Sequence, residues 1–129
     1  MAMSRKSRVY VTQVPPPRRD GTTVKPTFDL SPAERFGELI FLSTKEDVES
    51  GTEGDLMWKM REGLEGFDPT LDYILPIGHT ICMALGPVLA LERSEGRVRI
   101  MQWDRKLKTY EIFTMDLDAQ PPQKGRQSA

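Results

Sequence analysis

The chain has 129 residues, 38% of them hydrophobic and 29% charged, with a net charge of -1 at neutral pH. That length suits one domain with a modest core, and the composition is that of an ordinary soluble globular protein. The longest apolar run, Ile81 to Leu91, has 11 residues, short of the roughly 18 needed to cross a membrane, so no membrane partner is expected.

The basic start MAMSRKSRVYV lacks an apolar h-region and a cleavage signature, so no secretion signal is read. The single cysteine, Cys82, excludes an internal disulfide and suggests a reducing, cytoplasmic compartment. Charge is distributed unevenly: residues 1–25 carry +5, residues 26–96 carry -9 and residues 97–129 carry +3. Basic ends around an acidic middle fit nucleic-acid contact, or ends that pair and face an acidic helix. The second reading is preferred, because charge on a solvated surface needs no partner.

In chain order, residues 1–7 are expected to be disordered. RVYVTQV (Arg8–Val14) alternates β-branched residues and reads as a strand. Residues 15–30 form a proline-rich arm: Pro15 to Pro17 favour extended chain and Asp20-Gly21 a turn, so Val14–Arg18 should return along Thr23–Phe28. Ser31-Pro32-Ala33-Glu34 carries an N-cap serine and a proline at the first helical position, enough for one turn. Leu39 to Leu42 are consecutively apolar, which suggests a strand covered on both faces. TKEDVESGTEG reads as an acidic loop.

Leu56, Met60, Leu64 and Phe67 then make an apolar stripe that predicts a helix from Thr52 to Gly66. Asp68-Pro69 breaks it before a strand, Asp72–Ile77. The segment Thr80–Arg93 predicts a helix apolar almost all round, capped by Thr80, with Gly86-Pro87 bending or breaking it. EGRVRIMQWD and KTYEIFTMD are two strands joined by Arg105–Lys108, and residues 118–129 read as a disordered tail. The fold expected is a single α/β domain over residues 8–117 with a small mixed sheet of about five strands. It would have a parallel three-strand centre, two main helices, and the first and last strands antiparallel at the margins.

In such sheets ligands bind beyond the carboxyl ends of the parallel strands. Those ends supply Lys45, then Gly78, His79 and Thr80, then Asp104 and Arg105, a candidate site for a small anion or nucleotide at a helix start. PIGH (Pro76–His79) ends like the histidine turn of nucleotidylyl transferases. Pro76, however, stands where that turn needs histidine or threonine, and no second signature follows. His79 and Cys82 alone are too few for a metal or thiolate site. Cys82 is read as a small buried residue and His79 as a solvated or capping one. A nucleic-acid surface would use Arg18, Arg19, Trp103, Lys106 and Lys108. No catalytic residue, metal or cofactor is implied.

At DYILPIG, GRVRIMQWDRKLKTYEIFTMDL and FDLSPAERFGELIFL the chain resembles short proteins encoded by tailed bacteriophages, over about residues 8 to 117. That resemblance implies a phage origin and transfers no chemistry. In the group, aspartate usually follows the glycine where this chain has His79. The function expected first is therefore a non-enzymatic accessory protein binding a phage or host protein. A small anion- or nucleotide-binding domain comes second and a nucleic-acid binder third. The oligomeric state is open.

Overall fold

The computed structural model describes residues 5–15, 17–26 and 29–122. Residues 1–4 of the expected disordered start, Pro16, Thr27 and Phe28 of the arm, and residues 123–129 of the tail lie outside that set. The strands are β1 (Arg8–Val11), β2 (Pro17–Asp20), β3 (Thr23–Pro26), β4 (Glu38–Phe41), β5 (Tyr73–Leu75), β6 (Arg97–Asp104) and β7 (Thr109–Asp116). The helices are α1 (Lys45–Ser50), α2 (Glu53–Gly63) and α3 (Thr80–Arg93), with a 3-10 turn at Ser31–Arg35. This is an α/β protein. A five-stranded mixed sheet has the order β4-β1-β5-β6-β7, and β2 and β3 pair with each other as a separate hairpin.

β1 does not lie antiparallel at a margin. It is parallel to β4 on one side and to β5 on the other, β6 continues the parallel run, and only β7 is antiparallel. The parallel part thus has four strands, and β1 separates two that the sequence would set side by side. Both faces of β1 are covered: Val9 and Val11 are fully buried and Tyr10 is 1% exposed. β4, expected to be covered on both faces, is instead an edge strand whose Phe41 is 42% exposed.

The uniform hand of parallel crossovers explains the layering. The connection from β1 steps one way to β4 and crosses one face through the 3-10 turn, where Ala33 and Phe36 meet Val9, Val11 and Leu75. The connections from β4 to β5 and from β5 to β6 step the other way. They place α2 and α3 on the opposite face, where Leu56, Met60, Leu64, Cys82 and Leu89 pack on Tyr10, Ile74 and Val98.

Local chemistry accounts for the elements. The expected acidic loop contains α1, because Thr44 and Asp47 form a reciprocal capping box. Thr52 and Asp55 form another at the start of α2. Asp47 also accepts from Lys59 of α2 at 2.6 Å, joining the two helices. Ser31 is the first residue of the 3-10 turn rather than its cap, which is Leu30, and the Ser31 amide donates to the Asp29 carboxylate at 2.9 Å. α3 runs through Pro87 unbroken. Gly86 lets it approach β1, since a Cβ there would lie 2.4 Å from Thr12 Cγ2.

Asp72 holds the amino-terminal end of the sheet. Its carboxylate is fully buried and accepts from the Arg8 amide at 2.9 Å, the Asp68 amide at 2.7 Å and Arg5 Nη1 at 2.8 Å. A second bond from Arg5 completes a two-pronged ion pair, so Arg5 is tied to the domain although the sequence reads residues 1–7 as disordered. Replacing Asp72 with alanine strands two amides and a guanidinium, and is expected to cost about 3 kcal/mol or more in chemical denaturation. A loss below about 1 kcal/mol would mean that the network is dispensable.

Burial pushes the Asp47 carboxyl up, but its bonds from Lys59 and Thr44 outweigh that and hold it below the usual carboxylate range. Thr70 does the same for Asp68. A carboxyl whose folded value is lowered stabilises the fold fully above its unfolded value of about 3.9, and that contribution is lost as pH falls through the folded value. Melting at stepped pH should show stability falling below about pH 4, and Asp47→Asn should flatten part of the fall.

Candidate functional site

In an open parallel sheet the crevice for a ligand lies where successive crossovers diverge, beyond the strands' carboxyl ends. Here that point is between β1 and β5, and it is occupied by the chain's own side chains. Thr12 Oγ1 accepts from the Ile77 amide at 2.9 Å and donates to the Ile77 carbonyl at 2.6 Å. Gln13, 4% exposed, accepts from the His79 amide at 2.7 Å and donates to the Thr44 carbonyl at 3.4 Å. Ser43 Oγ donates to the Thr12 carbonyl at 2.7 Å and lies 3.3 Å from the buried Cys82 sulfur.

The turn itself depends on Gly78, whose φ is +97°. A Cβ there would sit 2.2 Å from Gln13 Oε1. α3 is capped by His79 rather than Thr80: His79 Nδ1 accepts from the Ile81 amide at 3.2 Å, while Thr80 is the first helical residue and exposed. Two of the amides at this helix start, those of His79 and Ile81, therefore already have acceptors within the chain.

The structure brings Gly78, His79 and Thr80 together and leaves the other three elsewhere. Lys45 follows β4, two strands from β5, and its ammonium lies 3.6 Å from Glu49 on the exposed side of α1. Asp104 ends β6 and Arg105 follows it, three strand spacings from β4 and Lys45, or about 14 Å at ordinary spacing. Asp104 accepts from the Lys106 and Leu107 amides at 2.8 and 3.0 Å and so closes the β6–β7 turn. The Leu107 amide, then the Glu111 side chain, hold its carboxyl low, and Asp104 in turn pushes Glu111 up.

Of the residues expected to contact nucleic acid, Trp103, Lys106 and Lys108 share that β6–β7 end, and all three are exposed. Arg18 and Arg19 lie on β2, in the separate hairpin.

A second concavity was not apparent from the sequence. On the face opposite α2 and α3, a slot of about 580 Å³ opens between the 3-10 turn and the ends of β5 and β6. Leu30, Leu75, Ile77 and Met101 line it, with Trp103 and Tyr110 among its walls. The two rings meet edge to face at 5.0 Å, and Trp103 is 39% exposed. Burial, then the charge of Asp29, push the Tyr110 phenol up, which keeps it neutral. Its signal in the sequence is the pairing of Trp103 with Tyr110, which requires knowing the hairpin register. A wider hollow of about 1350 Å³ along β4 is open to solvent and edged by charges of both signs, including Arg8, Glu34 and Arg35.

Among the described residues no group of three or more His, Cys, Asp or Glu side chains is placed to hold a metal ion, and no helix is long and apolar enough to cross a membrane.

A sheet of this order with a self-filled switch point defines a small open α/β protein with an apolar slot on its other face. The chain belongs to the phage Pam3 gp32-like protein family, whose model matches residues 7–117. No curated protein and no solved structure matches it.

Gly78→Val should destabilise the fold by at least about 2 kcal/mol, since it adds both strain and a clash with Gln13. His79→Ala should cost about 1 kcal/mol, the value of one helix cap. Equilibrium unfolding checks both, and a His79→Ala loss equal to that of Gly78→Val would contradict a capping role.

Proposed function

We propose that this phage protein is a non-catalytic accessory factor that binds a phage or host protein, taking an apolar side chain of the partner into the slot beside Trp103. The observation that carries this reading is the slot itself: aliphatic walls with two aromatic rings, one of them half-exposed. Its volume falls within the usual range of roughly 300–1,000 Å³ for binding pockets. Aromatic residues around an apolar pocket are the common anchors of protein interfaces, because they contribute large contact area at small entropic cost.

Membership of a phage family supports the setting. Surplus apolar surface elsewhere agrees with an interacting protein. Ile81 and Val88 of α3 are 51% and 59% exposed on one side of the helix, where a lone domain gains nothing from them.

Affinity capture from infected cells, run in parallel with the full chain and its Trp103→Ala variant, tests the reading. One defined protein should be retained by the first and weakened at least tenfold, about 1.4 kcal/mol, by the second. Circular dichroism should show the variant still folded. Retention of no protein, or equal retention by both, would overturn the proposal.

A further inference from the structure

β7 is the outer strand of the sheet and is eight residues long. Among the described residues it pairs only with β6. The opposite edge, β4, has four residues, and a short edge is one of the ways proteins avoid pairing with other chains. β7 has no such protection. It contains no proline, and from Ile112 to Thr114 it carries no charge. At its middle Ile112 and Phe113 are 38% and 63% exposed, on opposite faces.

We propose that β7 is the contact surface for a second copy of this chain, joined antiparallel about a two-fold axis near Ile112. Charge selects this occupant. The turn before β7 holds Arg105, Lys106 and Lys108, and the end of β7 holds Asp116, followed by Asp118. Antiparallel self-pairing sets each basic turn beside the other copy's acidic end, twice, whereas parallel pairing sets like against like.

Backbone parity supplies the register. The Leu117 amide donates to the Gly96 carbonyl at 2.9 Å, so odd-numbered residues of β7 turn their amides towards β6. Tyr110, Ile112 and Thr114 therefore turn theirs to the free edge. Centred on Ile112, the pairing matches Tyr110 with Thr114, Lys108 with Asp116 and Lys106 with Asp118. The sheet becomes continuous across the two copies and keeps both Trp103 slots on one face, so this contact is compatible with the slot and does not depend on it.

Sedimentation at protein concentrations up to about 1 mM tests the proposal. A dimer is expected whose dissociation constant rises with salt. Thr114→Pro removes only an outward-facing amide, leaves the bonds to β6 intact, and should weaken the dimer at least about tenfold without lowering the melting temperature of the monomer. Lys106→Glu and Asp118→Lys should each weaken it about threefold, and the double variant should restore it. A chain monomeric throughout would overturn the proposal. So would a dimer indifferent to Thr114→Pro, which would place the contact elsewhere, for example on Ile81 and Val88.

Discussion

Two side chains at the end of β1 hold the centre of this protein. Thr12 and Gln13 extend the pairing of β1 with β5 beyond its backbone ladder, one by a two-way bond with Ile77 and the other by a bond to the His79 amide. They fix the turn through Gly78 and with it the start of α3. Gln13 also reaches Thr44, the residue that caps α1. A single strand end thereby sets the position of two helices and of the crevice that separates them.

The same arrangement moves the functional question away from that crevice. An anion at a helix start needs free amides, and here those of His79 and Ile81 already donate within the chain, to a glutamine oxygen and a histidine nitrogen. Polar groups inside the corner therefore contribute to stability and to a unique register. Exposed apolar surface lies instead on the other face and at the sheet edge, at Trp103, Ile112 and Phe113, and on one side of α3, at Ile81 and Val88.

Much of the fold was legible because its signals are local. The α2 stripe through Leu56, Met60 and Leu64, the extent of α3 and the β6–β7 hairpin all follow from periodicity and turn chemistry. The place of β1 was not. Tyr10 and Thr12 alternate with valines as they would in a half-exposed strand, yet Tyr10 is buried against Phe67, at 5.5 Å, and Thr12 against Gly86. Burial of those residues comes from the segment after α2 and from α3, far away in sequence. The apolar run at Leu39–Leu42 misled for the converse reason: Leu42 is buried beyond the strand end, while Phe41 points to solvent at an edge. α1 was hidden by its few apolar residues, since its capping box carries the signal instead. Of the residues expected at the candidate site, only Gly78–Thr80 stand together. Lys45 was separated from Arg105 by the insertion of β1, and the slot needed three distant segments to form.

The β1–β5 corner is filled by the protein's own side chains. Titration with inorganic phosphate, followed through the amide resonances of Ile77, His79 and Ile81, tests this most directly. With Thr12, Gln13 and His79 holding those amides, their shifts should not exceed the drift of the rest of the chain. Saturable shifts concentrated on these three amides would show an anion displacing the internal bonds, and would contradict it.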